Sequence, residues 1–156
     1  MIQRPQTLYF LAIAVLALMM IFSDISFFTI EEQDGALAVS VEYDETKITA
    51  DEQNETMDNQ EMVYSLAVIA ALALFGLFSF KKRPLQVSLT SFNFLAILIL
   101  IALMYYYSFS KDYIDGMDGE LTFSALLPVA LLFFNFLALR GIRRDINLIR
   151  SMDRFR

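Results

Sequence analysis

Four long stretches of this chain carry no charged residue, and that absence constrains the fold more than any other feature: Leu8–Phe22, Met62–Phe80, Leu85–Phe109 and Leu121–Leu139. A helix rises about 1.5 Å per residue, so roughly 17 to 25 such residues match a hydrocarbon core about 30 Å thick. A charge at the bilayer centre costs on the order of 3 kcal/mol, so uninterrupted apolar runs are what lipid exposure selects. With 57% hydrophobic residues and a mean hydropathy of +0.52, the chain exceeds what a soluble surface tolerates. The expectation is an all-α membrane protein, a bundle of four transmembrane helices forming a single membrane domain over 1–156, with spans near 7–23, 62–80, 85–109 and 121–139.

The net charge of −6 conceals a division by side. Ten of the 12 basic residues fall on one set of span ends: Arg4, Lys81, Lys82, Arg83, Arg140, Arg143, Arg144, Arg150, Arg154 and Arg156. The loops 24–61 and 110–120 hold only Lys47 and Lys111 against sixteen of the 18 acidic residues. Basic residues accumulate on the cytoplasmic side of membrane proteins. Both termini and the turn 81–84 are therefore expected in the cytoplasm, with the acidic loops outside. Tyr64, Tyr105, Tyr106 and Tyr107 cluster at the outer ends of spans 2 and 3, where amphipathic rings favour the headgroup level. Span 1 is expected to be retained rather than cleaved as a signal sequence, since it is followed by Phe22-Ser23-Asp24-Ile25 instead of an Ala-x-Ala-like site.

The first outer loop opens like a β-hairpin. Ile25–Glu32 is rich in β-branched and aromatic residues, Asp34-Gly35 is a turn dipeptide, and Leu37, Val39, Val41 and Tyr43 alternate with smaller or polar residues. Thr46–Thr49 could add a short third strand, so a small extracytoplasmic sheet is expected there. Asp51, Glu52, Glu55, Asp58 and Glu61 recur at helical spacing and predict an acidic helical lead-in or a strap before span 2. Such carboxylates would suit a hard cation, but neither they nor Asp115-Gly116-Met117-Asp118-Gly119 follow an EF-hand order. A solvated loop is the plainer reading, and no metal is expected. Asn54-Glu55-Thr56 has the form of a glycosylation sequon, which matters only in a secretory pathway.

Inside the spans, Asn93 and Asn135 are amides at membrane depth, and antiparallel helices 3 and 4 could join them by an interhelical hydrogen bond. Pro128 is expected to kink span 4, and Ala67, Ala71 and Gly76 to let span 2 pack closely. After Leu139, Ile142, Ile146, Ile149 and Met152 share one face of an amphipathic basic C-terminal helix, which can continue span 4 or turn to lie along the anionic inner leaflet, and which suits lipid or a partner protein.

The two ends of the chain carry a resemblance. Met1-Ile2-Gln3-Arg4 with Gln6-Thr7-Leu8-Tyr9, and Asp145, Leu148, Arg150-Ser151, Asp153-Arg154 and Arg156, resemble the Bacteroidota membrane proteins grouped as domain of unknown function 4293, with Pro5 departing from the aliphatic residue expected there. The resemblance implies a bacterial inner membrane and brings no activity with it. It adds the expectation that Gln3, Arg4, Arg143, Arg144, Arg150, Asp153 and Arg154 form a polar surface for lipid or for a partner. The layout is also similar to the claudin-like one in architecture only, because the tryptophan and cysteine marks of that first loop are missing.

With no Cys and no His, the chain lacks thiolate nucleophiles, disulfides and the side chain that ordinarily titrates near neutral pH. No enzyme activity, cofactor or nucleic-acid binding is expected. The first expectation is a non-enzymatic accessory or assembly subunit of a larger envelope complex, in contact with membrane lipids and other membrane proteins. A small oligomeric transporter or channel is the alternative, although no inverted repeat or intramembrane carboxylate points to it. Acid–base chemistry would fall to outer-edge groups such as Asp24.

Overall fold

A computed structural model describes residues 5–31, 37–50, 53–79, 82–110 and 119–153. Among them are helices α1 (Pro5–Phe22), α2 (Gln60–Phe78), α3 (Arg83–Tyr105, extended by a π-turn at Tyr106–Ser110) and α4 (Leu127–Asp153, entered through a 3₁₀ turn at Phe123–Leu126). The strands are β1 (Ser26–Glu31), β2 (Leu37–Glu42), β3 (Glu45–Ala50), β4 (Gln53–Asp58) and β5 (Glu120–Leu121).

The all-α, four-span expectation is thereby corrected. The polar segments build a five-stranded antiparallel sheet of order β4-β3-β2-β1-β5. Three helical stretches, Gln60–Phe78, Arg83–Phe109 and Phe123–Leu148, are long and apolar enough to cross a membrane, whereas the apolar stretch Gln6–Phe22 is shorter. At about 1.5 Å per residue it stands at the bottom of the range that matches a 30 Å core.

α1 packs against α2 and α4, and α3 packs against the same two. Each helix buries one stripe, as α1 does with Phe10, Ile13, Ala14, Ala17 and Met20, yet its outward face is also apolar, through Leu8, Leu11, Val15, Leu18 and Phe22. The pattern repeats on α2 with Val68, Leu74 and Phe75 exposed, on α3 with Phe92, Leu95 and Ile99, and on α4 with Val129, Phe133 and Phe136. Helices apolar on every side belong inside a large protein or in lipid. A chain of 156 residues cannot bury so many, and the three longer helices make it compatible with a membrane protein.

Two local expectations change with the true boundaries. Pro128 is the second residue of α4 rather than a mid-span kink, and there its missing N–H removes no helical bond. On α2 the small buried residues are Ala70, Ala73 and Gly76, while Ala67 and Ala71 face outward. Only Gly76 of the expected set meets a neighbour closely, because a Cβ there would lie 2.7 Å from Cε1 of Phe10. Of the two courses open to the basic tail, the structure takes the continuation of span 4, since α4 runs on unbroken to Asp153.

In the sheet, the alternation on β2 does what period-2 spacing demands: Val39 and Val41 are buried, while Ala38 and Ser40 are half-buried. Registry assembles an inner face from the row Ile30, Val39, Ile48 and the row Phe28, Val41, Thr46, and an outer row from Thr29, Ser40, Lys47 and Thr56. A bulge between Ser26 and Phe28 breaks strict alternation, which lets the consecutive Phe27 and Phe28 both be buried. The Asp34-Gly35 turn lies outside the described residues.

The acidic segment before α2 is not the expected helix or strap. Gln53–Asp58 is the edge strand β4, paired along its whole length with β3 from Glu45↔Asp58 to Ala50↔Gln53. Its intrinsic β-propensity is low, so the pairing with β3 decides the outcome over propensity. Glu55 and Asp58 stay exposed on this edge, where charge discourages pairing with another chain.

The sheet fastens the helix ends beside it. Thr122 N–H donates to the Phe27 carbonyl at 3.0 Å, the Tyr43 hydroxyl to the Ser124 carbonyl at 2.8 Å, and the Ser124 hydroxyl to the Ser26 carbonyl. Phe28 meets Phe109 edge-on at 5.9 Å. Burial pushes the Tyr43 phenol well above its ordinary 10.0, and a group whose folded pKa is raised stabilises the fold below its unfolded pKa and loses that contribution as pH rises above it. Melting temperature should therefore fall from about pH 10 upward, more steeply in the parent chain than in Tyr43→Phe. Parallel curves for the two proteins would refute that role for Tyr43.

Candidate functional site: the basic end of the helices

Inside the helices at the end remote from the sheet runs a chain of buried amides. Gln86 Nε2 donates to the Gly76 carbonyl at 2.9 Å, and the Thr90 hydroxyl to the Gln86 carbonyl at 2.7 Å. Asn135 Nδ2 donates to the Thr90 carbonyl at 3.1 Å, and Asn93 Nδ2 lies 3.4 Å from Asn135 Oδ1. The structure thus brings Asn93 and Asn135 together, with Asn135 bonded more closely to the backbone of α3 than to Asn93. Gln86 is not legible in the sequence because it sits near the start of α3, where polar residues pass for a helix end. Asn135→Leu should remove both links from α4 to α3, at about 0.6 to 2 kcal/mol for an interhelical hydrogen bond in a bilayer. Thermal unfolding in detergent reads this, and an unchanged midpoint would exclude a stabilising role.

Around this interior lies the polar end itself. Gln6, buried in the first turn of α1, donates from Nε2 to Oδ2 of Asp145 on α4 at 3.1 Å. A Cβ on Gly141 would sit 3.4 Å from Gln6 Cβ, an ordinary contact distance, so α1 and α4 lie close here without requiring the glycine. The start of α1, the turn from α2 to α3 and the second half of α4 therefore share one end of the molecule, opposite the sheet. Arg140, Arg143 and Arg144 are exposed there. A groove of about 590 Å³ runs beside α4, lined by Phe136, Leu139, Arg140, Arg143, Arg144, Asn147 and Leu148. A second, of about 440 Å³, involves Tyr9, Arg140, Gly141, Arg144 and Asp145.

Of the residues expected at this surface, Gln3, Arg4 and Arg154 lie outside the described residues. Arg150 and Asp153 are described only as backbone within α4.

At the opposite end, Asp24 is exposed and lies 3.9 Å from Lys47, which also meets Glu42 at 2.8 Å and Glu45 at 3.0 Å. The hydrogen bonds that the Lys47 ammonium donates to Glu42 and Glu45 hold it above the usual lysine range. Among the described residues no group of three or more Asp or Glu forms a metal-holding arrangement. The Asp115–Gly119 turn begins outside them. Asn59, which no motif flags, joins two segments at this end: wholly buried, it donates from Nδ2 to the Glu42 carbonyl at 2.9 Å and accepts from the Thr46 hydroxyl at 3.1 Å.

Apolar helices with a sheet at one end and arginines at the other, three of them long enough to cross a bilayer, are compatible with a membrane protein. The chain belongs to the family described as Domain of unknown function (DUF4293), whose pattern matches residues 2–155. No curated protein matches it significantly.

Proposed function

We propose that this chain is a non-catalytic inner-membrane protein of bacteria, an accessory or assembly subunit of a larger envelope complex, with its basic end in the cytoplasm and its sheet outside. The observation that supports the reading is the segregation of surfaces: Arg140, Arg143 and Arg144 are exposed at one end, while the acidic β4 edge is exposed at the other. Between them, the Gln86, Asn93 and Asn135 amides donate across helices, while the Thr90 hydroxyl turns back onto its own helix at the Gln86 carbonyl. That leaves the two ends as surfaces for partners.

The chain has no cysteine, so an introduced one is its sole thiol. In intact spheroplasts a membrane-impermeant maleimide should label Thr56→Cys and spare Arg143→Cys until the membrane is opened. The reverse pattern would invert the orientation. Affinity purification from native membranes in mild detergent, with mass spectrometry of co-purifying chains, tests the accessory role. A reproducible envelope complex is expected, and recovery of this chain alone as a monomer would overturn the reading.

A further inference from the structure

Arg140 and Arg144 stand one helical turn apart on α4 and therefore on one face. Each of the two grooves flanking α4 is lined by both of them. Neither they nor Arg143 make an ion pair among the described residues. One turn nearer the sheet, the larger groove is lined by Phe136, which is 57% exposed, and by Leu139. Along the helix axis the surface thus passes from aromatic and aliphatic to guanidinium within about 6 Å.

We propose that this stretch of α4 is a binding site for one anionic phospholipid, its phosphate held by Arg140 and Arg144 and its acyl chains laid along Phe136 and Leu139. The inference deepens the membrane reading given above and rests on it. A phospholipid has the same order of chemistry along the same axis, with phosphate at the level of the arginines and hydrocarbon below. Guanidinium groups bind phosphate through two parallel N–H donors. Asp145, a carboxylate lining the smaller groove, already accepts from Gln6, and that bond holds α1 beside that groove. An acidic protein segment would match the arginines but not Phe136 and Leu139, which argues for lipid over peptide.

The full chain, purified in mild detergent, is incubated with phosphatidylglycerol or with phosphatidylcholine of equal chain length, and native mass spectrometry counts the lipids retained. One phosphatidylglycerol per chain is expected, retained about tenfold better than phosphatidylcholine, as two arginine–anion contacts allow. Arg140→Gln with Arg144→Gln should abolish the preference, whereas Lys82→Gln, exposed at the same end but outside both grooves, should keep it. Equal retention of the two lipids by the parent chain overturns the proposal without any variant. Equal loss in Lys82→Gln overturns it in favour of diffuse charge. Displacement by excess inorganic phosphate marks a free-anion site and likewise overturns it. Should the glutamine pair fail to fold, Arg140→Lys with Arg144→Lys keeps the charge but not the planar fork and should weaken retention several-fold; full retention overturns the proposal. Competition by an acidic peptide would give the surface to a protein and sink the lipid assignment, while leaving the accessory-subunit reading to its own purification test.

Discussion

Asn59→Ala is expected to lower the stability of the folded chain by roughly 2 to 4 kcal/mol, read as a lower unfolding midpoint in detergent. The side chain lies at the joint where β4 passes into α2. Its loss strands the Thr46 hydroxyl and takes a donor from the Glu42 carbonyl, with Asn59 and Thr46 both wholly buried. A buried group left without its partner costs about 1 to 3 kcal/mol. Asn59 also stands at the N-cap of α2, but its side chain makes no capping bond, so helix capping adds nothing to the loss. Backbone bonds survive the substitution, because Asn59 N–H donates to Asp44 and the Asn59 carbonyl accepts from Met62 and Val63. Thr46→Val should cost less, and the two changes together should fall short of their sum, since both break the same bond. A midpoint within error of the parent chain would refute the joint.

Gly76→Val should destabilise the contact of α1 with α2 by about 1 to 3 kcal/mol, the ordinary cost of overpacking. Two opposed effects meet at this position. Any side chain gains up to about 1 kcal/mol of helix propensity over glycine, but a Cβ here lies 2.7 Å from Cε1 and 3.0 Å from Cζ of Phe10. Phe10 is 1% exposed and has no room to swing aside. The backbone cannot withdraw either, because the Gly76 carbonyl accepts from Gln86 Nε2 at 2.9 Å. Steric cost therefore wins for valine, while Gly76→Ala should fall between the two. Unfolding midpoints in the order glycine, alanine, valine are expected, and a valine variant as stable as the parent would show that Phe10 can move.

These two positions also show where the sequence is silent. Asn59 sits in an acidic, polar stretch with helical spacing, and nothing local distinguishes it from Asn54. Its role exists only because the turn from β2 to β3 folds back against it. β4 itself was misread for the same reason. Its residues favour no strand, and six pairings with β3 impose one. β5 is two residues long, below any periodic signal, and is a strand only because Phe28 and Thr29 stand opposite Leu121 and Glu120. Pro128 looked like a kink because the apolar run continues through the 3₁₀ turn, and hydropathy does not mark where helical hydrogen bonding begins.

What the sequence determined by itself was written in single-residue transfer free energies: the uncharged runs, the split of basic from acidic loops, and the inward alternation of Val39, Val41 and Tyr43. Such terms are nearly additive along the chain and need no knowledge of neighbours. Only tertiary structure decided the fourth and fifth strands, the buried chain from Gln86 to Asn93, the joint at Asn59 and the groove beside Arg140 and Arg144. Each depends on a partner many residues away. A hydrogen bond or a shared groove is a property of a pair of positions, and one position cannot carry it.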